Sequence, residues 1–367
     1  MIPILYSENE TEFDSNGIGR FSDCISCRVT EERNGVYELE LVYPVSGKHS
    51  ESIDLGCIIL AKANAKDSRL QPFEIVDVVK DMNNVISVFA VHISYRMSFI
   101  PVKPISNSSY ITAGAAINLI QNNVVGNNPF TLRTDKADKA IFNMSLPLSM
   151  KSMLYGEEGS LLDCYGGTWY FDHFTATLMG QRGEHTDIVI RYGRDLEEFT
   201  YGGSREEVYT GVLPYWKGSY TPEGADDAVE VVVVPDSPVV KSAFENKLPY
   251  SRNIVVDVTG DFDDDEFENY PTKSQVTAKG VEYVNANITE IEETYVKISF
   301  VQERKDNNSY INSLGMCDEV TVIHNPFGVY VTGKIVKTVY DVLLERYESV
   351  EIGLIKPNVI DYMGGNK

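Results

Sequence analysis

The stretch Leu55–Tyr95, LGCIILAKANAKDSRLQPFEIVDVVKDMNNVISVFAVHISY, decides how the rest of the chain is read. It opens with a short apolar strand after Leu55-Gly56, continues into a longer β-branched run, QPFEIVDVV, and turns at Asp81-Met82-Asn83-Asn84. It leaves through VISVFAVHISY. From Leu314 the same order returns: LGMCDEVTVIH, then VYVTGKIVKTVYD, then a turn, then RYESVEIGLI. Gly56 stands nineteen residues before Ile75, and Gly315 twenty before Ile335. This spacing predicts that one chain carries two copies of a β-rich module.

Working outward toward the N-terminus, Tyr37, Leu39, Leu41 and Tyr43 fall at period two with Glu38 and Glu40 between them. That is the pattern of a strand with one buried face. Asn34-Gly35 before it supplies a tight hairpin turn. With the hairpin at residues 73–93 this makes four strands joined by short turns, which must stack or close as a small antiparallel barrel or sandwich.

The pattern changes after Pro101 and Pro104. SSYITAGAAINLIQNNVVG has a Ser/Thr start, places Ala113, Ala116, Ile117 and Ile120 at helical spacing, and ends in Asn and Gly. Leu154–Tyr165 predicts a second short helix, and GGTWYFDHFTATLMGQRG predicts an aromatic hairpin. Strand patterns resume at Ile188. A charged loop follows at TPEGADDA, then the strand Val229–Val234. Another shift in composition, at residues 242–312, contains the strand RNIVVDVTG, an acidic run, a helix from Thr272 to Asn287 and the strand TYVKISFV. This block is expected to interrupt the second module.

Composition narrows the function classes. The chain has 367 residues, 43% hydrophobic and 23% charged, with a formal net charge of −22. That length suggests two to four domains of an ordinary folded protein. Such an acidic balance argues against a surface that grips nucleic-acid phosphates, which takes Lys and Arg. No stretch approaches the roughly twenty apolar residues of a membrane-crossing helix, and MIPILYSENE lacks the basic start and apolar middle of a signal peptide. Five scattered cysteines favour a reduced interior over a disulfide scaffold.

Candidate chemical sites are few. Cys24 and Cys27 have the spacing of a redox or zinc pair, but no second pair follows at finger spacing. The run Asp261, Asp263, Asp264, Asp265, Glu266 and Glu268 offers oxygens to a hard cation, yet lacks the sixth-position Gly and closing Glu of a calcium loop, so it is read as solvated charge. His49, His92, His173, His185 and His324 belong to no metal motif. His92 and His324 lie in the repeated strands and are read as packing residues. Asp172-His173 with Cys164 is the one grouping that invites a nucleophile. GIGRFS at Gly17 lacks the third glycine of a dinucleotide loop. Neither a nucleophile elbow nor a phosphate-binding loop is found. The chain's 22 Tyr and 15 Phe, including Tyr209, Tyr215 and Tyr220, and its Trp169 and Trp216, suit protein interfaces, sugar stacking or barrel cores. The reading therefore expects no catalytic, cofactor or metal residues and leaves the partner interface unassigned.

One resemblance covers almost all of residues 1–360. SNGIGRFSDCISCRVTEERNGVYELELVYPVSG, FEIVDV, AVHISY, GGTWYFDHFTATLMGQRG, IRYGRDLEEF, LPYWKG, LGMCDEVTVIH and ERYESVEIG come in one order. Together they resemble the siphophage and prophage tail-associated lysin family, also described as prophage tail endopeptidase or phage minor structural protein, N-terminal region. The resemblance implies a mainly β fold like the baseplate hub of contractile-tailed phages, with two similar antiparallel β-barrels and two smaller α+β domains. The boundaries it implies are a first barrel at 1–102, an α+β domain at 103–190, and a second, discontinuous barrel at 191–241 and 313–362. An α+β subdomain is inserted at 242–312, and a frayed tail ends the chain at 363–367.

It further implies a structural homotrimer at the virion tail tip, made in the bacterial cytoplasm, that adapts a six-fold tail tube to a three-fold tip. Its implied partners are a hexameric distal tail protein, a tape-measure protein, and fibre or receptor-binding proteins. DNA passes as cargo and is not bound. Lytic activity in the family would sit in C-terminal domains absent from this chain, so no enzyme is expected. A carbohydrate-binding adhesin with exposed Trp169 or Trp216, and a cell-wall hydrolase, are the alternatives.

Overall fold

The alternation at Tyr37–Tyr43 appears in the structure as burial. This computed structural model describes residues 1–204, 208–222, 227–262, 267–288, 293–300 and 313–354. It begins with β1 (Ile4–Tyr6), β2 (Gly19–Arg20), β3 (Ser26–Glu32) and β4 (Tyr37–Pro44). Tyr37, Leu39, Leu41 and Tyr43 enter the core while Glu38 and Glu40 face away. Burying each such apolar side chain stabilises the fold by about 1.5–3 kcal/mol. In the β3–β4 turn only Asn34 takes a positive φ, 56°, and Gly35 closes the turn by donating to the Glu32 carbonyl at 3.2 Å. With β5 (Ile58–Lys62), β6 (Leu70–Lys80) and β7 (Val85–His92), the first module runs in the antiparallel order β3-β4-β7-β6-β5-β1-β2.

The next stretch forms its own core. It comprises β8 (Pro101–Val102), β9 (Tyr110–Thr112), α1 (Ala113–Asn123), β10 (Thr131–Thr134), β11 (Lys139–Ile141), β12 (Leu148–Ser149), α2 (Met150–Leu154), α3 (Leu161–Tyr165), β13 (Thr168–Asp172) and β14 (Thr175–Met179). Thr112 caps α1 by accepting from the Ala115 amide, and Ala113, Ala116, Ile117 and Ile120 are buried as their spacing predicts. The single helix expected at Leu154–Tyr165 is instead the end of α2 and the whole of α3. Gly156 and Gly159, at φ 91° and 78°, carry the chain through conformations a helix does not contain.

Then come β15 (His185–Arg191) and β16 (Leu196–Ser204), after which the chain enters a second compact unit, Tyr201–Tyr295. There β17 (Gly211–Tyr220) pairs with β18 (Val229–Val233), β19 (Val240–Lys241) and β20 (Asn253–Asp257). The helix α4 (Lys273–Asn287), started by a Thr272–Gln275 capping box, packs on β17 and β19. A Cβ at Gly280 would meet Pro214 Cγ at 2.6 Å, so glycine lets the helix approach the sheet. These pairings move the expected boundary. Residues 211–241 bond to β20 and not to the strands beyond residue 313, so the insert begins near residue 201 and not at 242. The acidic residues 263–266, the last residues of the expected second barrel and the tail 363–367 lie outside the described residues.

The first unit resumes at Val296. β21 (Glu293–Phe300), β22 (Glu319–His324), β23 (Val329–Asp341) and β24 (Arg346–Leu354) complete the second module in the order β16-β21-β24-β23-β22-β15. Position for position this matches the order β3-β4-β7-β6-β5-β1, except that β15 runs parallel to β22 where β1 runs antiparallel to β5. Finer marks agree. The Gly56 amide bonds Ile75 O at 2.9 Å, and the Ile75 amide bonds Cys57 O at 2.8 Å; the Cys317 amide bonds Ile335 O at 2.8 Å, and the Ile335 amide bonds Asp318 O at 3.0 Å. The next register shift falls between Ile75 and Asp77 in one module and between Ile335 and Lys337 in the other. Gly56 therefore corresponds to Cys317, two residues on from the Gly315 that the sequence match pairs with it. Both take positive φ, 82° and 67°, as do Asn84 and Glu345 in the following turns, at 59° and 53°. The insert replaces the turn corresponding to Asn34-Gly35. The two modules share one sheet and one core, joined where β23 pairs with β3.

Candidate functional site

The junction between the modules carries the densest polar chemistry of the first unit. Register sets it: Lys337 lies opposite Glu32 and Asp341 opposite Arg28. The Arg33 amide donates to Val336 O at 2.8 Å, and the Val342 amide to Cys27 O at 2.9 Å, so β23 and β3 bond along their full overlap. Lys337 pairs with Glu32, and Arg28 Nε meets the Glu348 carboxylate at 2.7 Å. Tyr347 donates its hydroxyl hydrogen to Leu314 O at 2.7 Å and accepts from the Ala65 amide at 3.2 Å.

Two ion pairs are less exposed. Lys66 Nζ lies 2.9 Å from the buried Asp318, whose carboxylate also accepts from the Gly315 and Glu184 amides at 2.8 Å. Burial would lower the Lys66 ammonium; Asp318 and Glu184 override it and hold the group above its usual value. Arg182 donates from Nη2 to Glu31 Oε1 at 2.5 Å and from Nη1 to the Trp169 carbonyl at 3.1 Å, and covers the Tyr170 ring. Among the described residues Glu31 Oε2 is buried with no hydrogen-bond partner. Lys66, Asp318 and Arg182, with Asn64, Asp67 and Tyr170, wall a cleft of about 480 Å³. Its charges are matched against one another, as in a joint between packed parts.

The residues flagged by sequence as possible chemistry do not assemble. Cys164 Sγ donates to the carbonyls of Gly159 and Ile141 at 3.3 and 3.5 Å, and burial pushes its thiol up to about 11. The His173 ring bonds Asp172 at 2.8 Å and lies against Phe13, and Arg69 also pairs with Asp172. No hydrogen bond joins Cys164 to His173 among the described residues. Burial pushes the Cys24 thiol up to about 12, and Cys27 is wholly buried, so neither presents the thiolate that redox or metal chemistry needs. Among the described residues no group of His, Cys, Asp and Glu is placed to hold a metal ion. Gly17-Ile18-Gly19 is a loop entering β2, where a Cβ on Gly19 would strike the His49 ring.

His92 and His324 are packing residues, as their strands imply. His92 stacks on Tyr37 at 4.4 Å and bonds Ser94 and Gln71; burial holds its imidazole down at about 3, so it is neutral. His324 sits among Phe199, Tyr192 and Phe327, with centroids 4.2–4.5 Å away. Trp169 and Trp216 are 1% and 6% exposed, which removes the two platforms a sugar-binding reading needs. The junction residues carried no sequence signal. Glu31 and Arg182 are 151 positions apart, and only the strand order brings them together.

No protein-family model and no curated protein matches the sequence. Solved structures do match it from end to end. A prophage tail protein, gp18, from Listeria monocytogenes has a TM-score of 0.58 at 14% identity, covering 99% of this chain and 97% of its own. The 43 kDa tail protein of prophage MuSo2 from Shewanella oneidensis gives 0.58 at 10% identity, covering 97% and 99%. A tail protein from Neisseria meningitidis gives 0.56 at 9%, covering 96% and 95%. The chain has the fold of these tail proteins. At such identities the fold is what is shared, and it is shared by the inserted unit as well as by both modules.

Proposed function

We propose that this chain is a structural subunit at the tip of a phage or prophage tail, a baseplate hub that assembles as a homotrimer around the DNA exit path. One observation carries the reading: a duplicated six-strand module, set in a fold that matches three tail proteins over nearly their whole length. Three copies of a chain with two like modules present six like units, which suits the joint between a six-fold tube and a three-fold tip. The proposed neighbours are the hexameric distal tail protein, the tape-measure protein and fibre or receptor-binding proteins. The charge of −22 supports DNA as passing cargo, since an acidic wall repels phosphate.

The test is compositional and then physical. Tails purified from particles that encode this chain should contain its peptides in trimer proportion, and the isolated chain should bind the distal tail ring. Tails that assemble and infect normally without it would overturn the reading. Cell-wall cleavage by the purified chain would overturn its non-enzymatic part.

A further inference from the structure

We infer that the cleft between the end of β17 and the start of α4 is a binding site for a neutral pyranose sugar. The cleft lies wholly within the second compact unit, and its reading goes beyond the tail assignment without depending on it. The burial of Trp169 and Trp216 removes those two rings as sugar platforms. Tyr220, at the end of β17, belongs to a different one.

Strand alternation builds the platform. Trp216, Gly218 and Tyr220 share one face of β17. Trp216 is buried in the core of the unit with Val258 and Phe262. A Cβ at Gly218 would meet the Trp216 ring at 2.2 Å, so glycine is what lets the indole lie along the strand. Two residues on, the same face leaves the core, and Tyr220 is half-buried. Phe267 is fixed edge-on against Trp216 and Phe262, with centroids 5.5 and 5.6 Å apart. Tyr270, 43% exposed, lies 5.2 Å from Tyr220 at an interplanar angle of 58°. These three rings, with Glu268, Asn269 and the first turn of α4, line a cleft of about 410 Å³. That lies within the roughly 300–1,000 Å³ of small-molecule sites.

The polar groups around the rings decide the class of ligand. Among the described residues the hydroxyls of Tyr220 and Tyr270, the Asn269 amide and the Glu268 carboxylate have no hydrogen-bond or ion-pair partner. A wholly apolar occupant would cover these groups without pairing them, which is unfavourable. A pyranose satisfies both parts of the site. Its C–H face lies on a tyrosine ring, while its hydroxyls donate to Glu268 and to Asn269 Oδ1 and accept from Asn269 Nδ2 and the tyrosine hydroxyls. Charge narrows the class further. Glu268 is an exposed carboxylate that repels anions. The start of α4, which an anion would otherwise seek, is closed: the Thr272 amide donates to Gln275 Oε1 at 2.8 Å and the Gln275 amide to Thr272 Oγ1 at 3.3 Å. Phosphorylated and uronic sugars are therefore disfavoured, and a neutral one fits.

Saturation-transfer NMR on the full chain tests the site. The probes are the methyl glycosides of glucose, galactose, mannose and N-acetylglucosamine, with glucuronate and glucose 1-phosphate as anionic controls. At least one neutral sugar should bind with a Kd on the order of millimolar, the strength expected of a ligand with so few atoms. Tyr270→Ala should weaken it by at least about tenfold. Asn269→Ala, which leaves every ring in place, should weaken it by about fivefold. Glu268→Gln should narrow the preference for neutral over anionic sugars, an effect that a merely structural role would not produce. Thermal unfolding of the three variants checks that the unit stays folded; where Tyr270→Ala disturbs it, the other two decide. Binding of no neutral sugar up to about 50 mM overturns the inference. So does binding that all three variants leave unchanged, which would be an adventitious contact only, and so does equal binding of the anionic controls. Presence in purified tails without sugar binding overturns only this site, and sugar binding by a chain absent from tails overturns only the tail reading.

Discussion

The two modules of the first unit follow one strand order; besides the reversed sense of the sixth strand, β15 parallel to β22 where β1 is antiparallel to β5, they differ in two instructive places. In the first module β3 and β4 meet through a four-residue turn; in the second, β16 and β21 are separated by a whole inserted unit. In the first, half of the β6 edge has no strand partner among the described residues; in the second, the matching edge of β23 is covered by β3. The first difference shows that a hairpin turn whose flanking strands are held by neighbours tolerates a large insertion, because closing a longer loop costs little extra entropy. The second shows that a repeated module need not be satisfied in the same way each time. One copy's edge is covered within the chain, and the matching edge of the other has no strand partner among the described residues.

If the covered edge is the stiffer one, breaking its buried charge pair should have the largest effect. Arg182→Met leaves the Glu31 carboxylate on β3 buried without its cation, and should destabilise the first unit by about 3–5 kcal/mol. Adding Glu31→Leu should recover most of the loss, since an apolar pair of similar volume is often no worse than the ion pair. Chemical denaturation of both variants checks this. A single variant of wild-type stability would mean that the junction does not hold the modules together.

Acid should separate the modules next. His92 ends the exit strand of the first module, and Leu354 stands at the matching position of the second. The imidazole is held at about 3 when folded, against 6.5 as its ordinary value, so the unfolded chain binds the proton first. Stability from this group is fully present above pH 6.5 and falls as pH drops toward 3, at about 1.4 kcal/mol per pH unit in between. His92→Gln should remove close to one proton from the pH dependence of unfolding. Hydrogen exchange at pH 4 should show the amides of β6 and β7 opening before those of β23 and β24.

Much of this architecture was legible in local pattern. The strand at Tyr37–Tyr43, the helix from Ala113 and the helix capped by Thr272 each follow from residues a few positions apart, where periodicity and capping act. What escaped depends on distant pairing. Alternation in β17 looks the same whether its partner is β20 or a barrel strand, so local pattern puts the start of the insert some forty residues late. Sequence matching sets the repeat two residues out of register, because Gly315 invites alignment with Gly56 while the residue that adopts its backbone conformation is Cys317. The Glu31–Arg182 and Lys66–Asp318 pairs are products of topology alone. The burial of Trp169 and Trp216 was equally hidden, since their segments alternate aromatic residues on both faces.

That register correction yields the smallest and most discriminating expectation. If Gly56 and Cys317 occupy one turn in two copies, an L-residue at position 56 is unfavourable but compatible with the fold, because Cys317 already lives there at φ 67°. A Cβ on Gly56 would first meet Glu8 Oε2 at 3.0 Å, the end of an adjustable side chain, so the cost should come from the left-handed backbone and not from a clash. Gly56→Ala should lose about 1–2 kcal/mol, a drop of several degrees in Tm for a unit of this size. Gly315→Ala tests the discarded alignment. Its backbone is not left-handed, but a Cβ there would meet Lys66 Cδ at 2.8 Å, so its cost should depend on the Lys66–Asp318 pair and vanish when Lys66 is shortened to Ala. Equal, Lys66-independent losses at positions 56 and 315 would restore the alignment read from Leu-Gly and break the one read from hydrogen bonds.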